Sequence, residues 1–357
     1  SGFFLGAFLL YIYLAAGRPD LDIWHTEELS AEMASNDIDR MSGLLEYLEG
    51  EQILFRQLEE NIYEKHQGLS TGAFDRYRRG SWSDPGSRTP DWNRTITLSA
   101  PSPKANILML HGLSDSPYSL RALAESLHRS GCSVTVLRLP GHGTIPSGLS
   151  RVRWQDFTAA VRLAAGSLNE EAPPDTPFYI VGYSNGAALA VEYTLEAMLG
   201  EHIHRPDGLF MISPALTVSP MAALAKWNLL LAHFPGLDKL AWLSIEPEYD
   251  PYKYNSFSIN AGRQIYLLTR HIQGQIKRLD RGNGLVGFPP VLALVSVVDA
   301  TIPPRGLIDR FMMRLSPGNH RLVLFDVNRV AADMALLKDS SRPMIEEVMT
   351  RELPFTV

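Results

Sequence analysis

The chain has 357 residues, of which 45% are hydrophobic and 20% charged, and its formal net charge at pH 7 is -6. This composition is typical of a packed globular protein and excludes a disordered chain. The longest basic block is Arg76–Arg79, so the sequence lacks the extended positive surface that binds a polyanion, and we expect no nucleic-acid partner. Cys132 is the only cysteine, which excludes an intramolecular disulfide.

The N-terminal run Gly2–Gly17 carries no charge, and the first residue is a serine rather than a methionine. The run is shorter than the roughly 20 residues that a full membrane span needs. We interpret residues 1–17 as a membrane anchor or the remnant of a signal peptide, with residues lost upstream. The sequence thus predicts a membrane-anchored or exported protein (periplasmic or extracellular), and the alternative is a helix that packs on the fold.

Residues 18–92 are predicted to form a helical prefix and a linker. The stretch from about Leu29 to His66 is predicted to be helical, with apolar residues near 3.6-residue spacing from Leu44 to Ile62. The segment Gly68–Trp92 is rich in Gly, Ser, Arg and Pro, which is typical of a linker.

From residue 93 the pattern alternates between strands and helices. Continuous apolar runs are typical of strands buried on both faces of a parallel sheet, so residues 93–213 and 286–357 predict an α/β core: a mostly parallel central sheet with flanking helices. Residues 214–285 contain two segments of helical pattern and are predicted to form a cap or lid. The predicted strands are "TITLSA", "NILMLHG", "SVTVLRL", "FYIVGYS", "GLFMIS", "VLALVSVVD" and "RLVLFD".

The motif "GYSNG", Gly182–Gly186, lies between a predicted strand and a predicted helix. This Gly-x-Ser-x-Gly pattern in that context predicts a nucleophile elbow, in which small flanking residues permit a strained turn that exposes the serine hydroxyl. Ser184 is therefore the candidate nucleophile, and the alternative is a passive serine in a glycine-rich turn. A serine hydroxyl needs a base to take its proton, so the sequence must also supply that base.

Two loops after earlier strands are expected at the same edge of the sheet. In "HGLSD", His111–Asp115, the backbone N–H of Leu113 is predicted to stabilise an oxyanion together with the N–H of Asn185, the residue after the nucleophile. His111 is interpreted as a brace for its loop. In "LRLPGHGTIP" the topology places His142 near the site, with a structural role in the loop favoured over chemistry.

Together these motifs and "VLALVSVVDATI" resemble the α/β-hydrolase fold, and within it the monoacylglycerol lipase and carboxylesterase branch of serine hydrolases. The resemblance covers roughly Asn106–Asp326. It implies Ser184 as nucleophile and Asp299 as the acid of the triad, with Asp309 and Asp326 as weaker candidates. Asp299 could instead cap the helix that follows it. Neither a metal cluster nor a dinucleotide fingerprint is found, so we expect no cofactor.

The triad histidine is missing from its expected place after the last predicted strand. His320 precedes that strand, and six residues of about 3.3 Å each would hold it roughly 20 Å from the edge where the base is needed. The apolar segment Leu353–Val357 is interpreted as an interrupted strand, so we expect the histidine to lie beyond Val357. The alternative is a binding or scaffold relative that has lost its base.

The predicted function is hydrolysis of carboxylic esters, such as acyl glycerols and other small-molecule or lipid esters, through an acyl-enzyme on Ser184. The predicted lid residues Trp227, Phe234 and Trp242 could line the acyl pocket. A thioesterase, acyltransferase or peptidase could use the same elbow, because the fold does not determine the leaving group.

Overall fold

The computed structural model describes residues 6, 17–66, 72–200, 203–217, 232, 237–280, 282–297, 299, 304–325, 346 and 348–357. Its strands in chain order are β1 Ile96–Leu98, β2 Asn106–Leu110, β3 Ser133–Leu137, β4 Phe178–Tyr183, β5 Gly208–Ile212, β6 Trp242–Ser244, β7 Phe257–Ser258, β8 Val291–Ser296 and β9 Arg321–Phe325. Seven of them form one sheet in the order β1-β3-β2-β4-β5-β8-β9. Among the described strands of this sheet, β1 alone is antiparallel to its neighbour. This confirms the predicted fold class.

The helices flank this sheet on both faces. Those of the described residues are α1 Ile23–Thr26, α2 Ser35–Ile38, α3 Leu44–Leu58, α4 Glu64–His66, α5 Arg121–Arg129, α6 Trp154–Glu170, α7 Asn185–Met198, α8 Ile259–Leu279 and α9 Pro304–Arg310. Alternate residues of β2 enter different apolar clusters: Leu108 packs with residues of α6, α7 and α8, whereas Met109 packs with Ala124 of α5. The continuous apolar run of β2 arises because the strand is covered on both faces.

The N-terminal prefix packs on the core rather than standing apart from it. The Tyr47 hydroxyl donates to the Arg138 carbonyl (2.8 Å), and the Leu44 N–H donates to Ser167 Oγ (2.8 Å). The long helix begins at Leu44, later than the predicted boundary near Leu29, because Gly43 lies just before it in an extended conformation. The segment interpreted as a linker contains the buried side chains of Arg76 and Tyr77.

The cap interval between β5 and β8 contains the antiparallel pair β6–β7 and helix α8. Helix α8 confirms the helix predicted from the second cap segment, whereas the first segment, 221–234, lies outside the described residues except for Ala232. At the end of the chain Thr356 pairs in parallel with Arg321 at the start of β9. Among the described residues, no helix is both long enough and apolar enough to span a bilayer, and the run 2–16 is outside them except for Gly6.

Candidate active site

Ser184 lies in a tight turn between β4 and α7. Its backbone has φ 54 and ψ -111, a region that residues with a side chain rarely adopt. The turn is held from both sides: the Ser184 N–H donates to the Ile212 carbonyl (2.9 Å), and the Ser184 carbonyl accepts from Ala187 and Ala215 (3.1 Å each). This is the strained strand-to-helix turn that the motif predicts.

Both glycines of the motif are required by close backbone packing. A Cβ at Gly186 would lie 2.0 Å from the Leu110 carbonyl oxygen, and a Cβ at Gly182 would lie 2.4 Å from the backbone nitrogen of Ala187. The start of α7 can therefore approach β2 and β4 only because neither position has a side chain.

Ser184 opens on a cavity of about 740 Å³ that brings together residues from distant parts of the chain. Leu113 and Asp299, both predicted to act with Ser184, line the same cavity. Asn185 is fully buried at the first position of α7, where backbone N–H groups have no intrahelical acceptor. The other lining residues are Gly112, Ser114, Asp115, Tyr183, Ser213, Ala215, Thr217, Lys253, Tyr254, Asn255, Phe257, Gly262 and Ile265.

The loop that carries Leu113 is held in place by the cap and by His111. Ser114 has a positive φ of 62, and its carbonyl accepts a hydrogen bond from the Tyr254 N–H (2.8 Å). His111 Nε2 accepts from the Leu139 N–H (3.1 Å), so Nδ1 carries the proton and donates to the Gly112 carbonyl (2.9 Å). Burial and the neighbouring His142 lower the pKa of His111 well below its usual value, so it remains a neutral brace.

No histidine among the described residues lines this cavity. His142 is fully buried against His111 and Phe157, with Nδ1 donating to the Pro140 carbonyl (2.9 Å), and burial lowers its pKa to about 4. His320 is buried immediately before β9, at the amino end of that strand, as the sequence predicts. His202 and His233 lie outside the described residues.

The candidate acids separate clearly in space. Asp299 follows β8 and shares the cavity with Ser184, and its carboxylate contributes, after burial and Asp115, to raising the pKa of Tyr183. Asp309 lies on α9 and pairs with Arg351 (2.9 Å), away from the cavity lining. Asp326 lies outside the described residues.

One of the predicted acyl-pocket residues is placed elsewhere by the structure. Trp242 in β6 is 2% exposed and packs edge-on against His25 of α1, with ring centroids 4.8 Å apart, and it is not among the cavity-lining residues. It is directed away because β6 packs on the prefix rather than over Ser184. Trp227 and Phe234 lie outside the described residues. The apolar wall of the cavity includes Phe257 and Ile265 instead.

Asp115 lines the cavity, although the sequence motifs did not indicate a role for it. It lies two residues after Leu113, and burial raises the pKa of its carboxyl to about 6, although Lys253 opposes this rise. In the sequence, its position in the loop His111–Asp115, close to the predicted oxyanion donor Leu113, could have indicated this. Its charge at neutral pH therefore costs folding free energy.

Replacement of Asp115 with asparagine is expected to stabilise the protein above pH 6 but not at pH 4. The folded wild type holds a proton on Asp115 up to a pKa of about 6, whereas the unfolded chain releases it near pH 4, so wild-type stability falls between these values. A difference of about two between the pKa values of the folded and unfolded states corresponds to about 3 kcal/mol. At pH 8 the free energy of unfolding of the variant should exceed that of the wild type by this amount. Urea unfolding of both proteins from pH 4 to 8 measures this difference in the free energy of unfolding. A difference that does not change with pH would contradict the raised pKa of Asp115.

The fold and the site together define the class of protein. A mostly parallel sheet with a strained serine between β4 and α7, and an acid after a later strand in the same cavity, is the arrangement of a serine hydrolase of the α/β-hydrolase fold. Residues 101–327, more than half of the chain, match the family Hydrolase_4, described as "Serine aminopeptidase, S33". The chain belongs to this family, which confirms the predicted resemblance and makes the protein a hydrolase.

Individual relatives agree with this placement. The chain is 27% identical over 243 residues to a thermostable monoacylglycerol lipase of Bacillus sp. (strain H-257), covering 68% of this chain and 87% of the relative. It is 27% identical over 120 residues to Phospholipase YtpA of Bacillus subtilis (strain 168), covering 34% and 44% of the two chains. A solved structure from work on the metagenome-derived lipolytic enzymes LipS and LipT shares the fold, with a TM-score of 0.51 and 21% identity, covering 72% of this chain and 96% of that one.

Proposed function

We propose that the protein hydrolyses carboxylic esters, with acyl glycerols or similar lipid esters as substrates, through an acyl-enzyme on Ser184. The observation that carries this proposal is the strained turn at Ser184, which opens on a cavity shared with Asp299 and with the Leu113 loop. The ester class is supported by the lipase and phospholipase named among the relatives.

The mechanism follows from these positions. Ser184 Oγ attacks the ester carbonyl, and the backbone N–H groups of Leu113 and Asn185 donate to the oxyanion that forms. The tetrahedral intermediate expels the alcohol, which takes the proton that the base removed from Ser184, and leaves an acyl group on Oγ. Water then attacks the acyl-enzyme and releases the acid. Asp299 would hold the protonated base in place during both steps.

The base is proposed to be a histidine that approaches Ser184 and Asp299. Asp299 shares the cavity with Ser184, so a histidine hydrogen-bonded to its carboxylate would lie within reach of the Ser184 hydroxyl. Replacement of single histidines with alanine in the full-length protein tests this role, because loss of the base should lower ester turnover by about 10³-fold or more.

A second candidate function is that of a binding or scaffold protein without turnover. The observation that favours it is that no histidine of the described residues lines the cavity. Such a protein would retain the oxyanion donors and the cavity, but would hydrolyse esters very slowly.

A fluorophosphonate probe on the full-length protein, with Ser184→Ala as control, distinguishes these functions. We expect stoichiometric labelling of the wild type, none of the variant, and turnover of p-nitrophenyl esters that rises with acyl-chain length. Labelling that persists in Ser184→Ala would contradict the assigned nucleophile. Negligible turnover of all esters would favour the binding protein, and faster cleavage of an amino-acid p-nitroanilide would favour a peptidase.

We also propose that the uncharged segment 2–17 tethers the enzyme to a membrane, as an anchored or exported protein. In support, the residues that follow it are held to the cap: Arg18 donates to the Trp242 carbonyl, and Lys239 Nζ pairs with Asp20 (2.8 Å). The adjacent Leu243 is 65% exposed. Full-length protein should float with phospholipid vesicles, and a variant lacking residues 1–17 should not. Equal flotation of the two would contradict the proposal.

A further inference from the structure

A compact group of ligand-type side chains lies between α7 and α8, apart from the catalytic cavity. Glu192 and Glu196 are one turn apart on α7, and His271 faces them from α8. One oxygen of each carboxylate and one imidazole nitrogen all lie within 4.8 Å of one another. Glu192 is eight residues beyond Ser184, or about 12 Å along the helix.

The arrangement leaves one oxygen of Glu192 and one nitrogen of His271 without a hydrogen bond to any described residue. The Glu192 side chain is 1% exposed, and its Oε1 lies 3.6 Å from His271 Nε2, which is longer than a hydrogen bond. Among the described residues neither atom has a hydrogen-bond partner. A buried carboxylate oxygen without a partner is costly, so the geometry leaves a place for a cation between these two atoms.

The surrounding residues fit a metal ligand set. Arg162 Nη1 donates to the Glu196 carboxylate (3.1 Å), and a carboxylate has enough lone pairs to accept this bond and also bind an ion. The Trp154 ring packs on the His271 imidazole with centroids 4.6 Å apart, which restrains the orientation of that ligand. The His271 side chain is 38% exposed, which provides a route from solvent.

We propose that Glu192, Glu196 and His271 bind a divalent transition-metal ion such as Zn²⁺. One imidazole and two carboxylates suit Zn²⁺, whose bonds of about 2.0–2.2 Å place neighbouring tetrahedral ligands roughly 3.4 Å apart, near the 3.6 Å between Glu192 Oε1 and His271 Nε2. Water would occupy the fourth position on the exposed side. The ion would join the nucleophile helix α7 to α8, whose Gly262 and Ile265 line the catalytic cavity, and so its role is structural.

Isothermal titration of full-length protein with Zn²⁺, after removal of any histidine tag, tests the site. We expect one ion per chain and a rise of about 3 °C or more in melting temperature at saturation. Glu192→Gln and His271→Gln should each weaken binding at least tenfold. His128→Gln replaces another half-buried histidine, on α5, and should bind like the wild type.

The possible results separate this proposal from the proposed function. Wild type that takes up no Zn²⁺ overturns the site, as does binding that Glu192→Gln and His271→Gln leave unchanged. Equal loss in His128→Gln would mean an adventitious ion only. Ser184→Ala should bind Zn²⁺ like the wild type, so failure of esterase activity leaves the metal site intact. Circular dichroism of the chelator-treated variants should match that of the wild type, which would establish that the variants are folded.

Discussion

Replacement of Gly186 with alanine is expected to prevent formation of a stable, soluble protein. The added Cβ would lie 2.0 Å from the Leu110 oxygen, 2.4 Å from the Leu110 carbonyl carbon and 2.8 Å from the His111 oxygen, and all three are backbone atoms. Backbone atoms of a central strand cannot rotate away as a side chain can, so α7 must shift away from β2. We expect a loss of about 3 kcal/mol or more in the free energy of unfolding.

The matched control is Gly274→Ala in the interior of α8, where an added Cβ meets no atom within 4 Å. This substitution should stabilise the protein by about 0.5–1 kcal/mol, because alanine favours helix over glycine. Soluble yield and urea unfolding measure both variants. Equal unfolding midpoints for the two would show that α7 does not pack on β2 as described.

Replacement of Ser184 with glycine is expected to abolish turnover and to stabilise the fold. Loss of the nucleophile should lower ester hydrolysis by about 10³-fold or more. Relief of the backbone strain at φ 54 should raise the free energy of unfolding by about 1–3 kcal/mol. The greater freedom of glycine in the unfolded chain should lower it by about 0.5–1 kcal/mol. Ser184→Gly should therefore unfold at a higher urea concentration than the wild type.

Ser184→Ala is the control for the second half of this prediction, because it removes the hydroxyl but keeps the Cβ and its strain. Ser184→Ala should be as inactive as Ser184→Gly, and its free energy of unfolding should be about 1 kcal/mol lower than that of Ser184→Gly. Glycine and alanine variants of identical stability would mean that the turn is unstrained. Ester turnover that survives both substitutions would place the nucleophile at another residue.

The sheet could be predicted well because burial leaves a local record in the sequence. Each strand of the large sheet except β1 corresponds to an apolar run, and β2 is buried along its whole length. The start of α3 was less predictable: the predicted helix begins near Leu29, whereas Gly43 and the short helix α2 precede the regular helix. The partners of the prefix were not predictable, because the Tyr47 hydroxyl bonds to the carbonyl of Arg138, 91 positions away.

Some residues of the candidate site could be predicted from the sequence, and others could not. The motif at Ser184 was recognisable because a strand, two small flanking residues and a helix lie next to one another in the chain. The loop at Leu113 was recognisable for the same reason. Trp242 shows the limit: its size and apolar character predict burial, but its packing against His25 depends on how the prefix crosses the cap.

The sequence by itself determined the order of strands and helices, the nucleophile elbow and the membership of the α/β-hydrolases, because each of these is encoded in patterns among near neighbours. Tertiary structure alone decided that Asp299 shares the cavity of Ser184 while Asp309 pairs with Arg351. It also brought His271, on α8 of the cap interval, beside Glu192 on α7. Such pairings depend on the path of the whole chain, since residues far apart in sequence meet only after the sheet and its helices have packed.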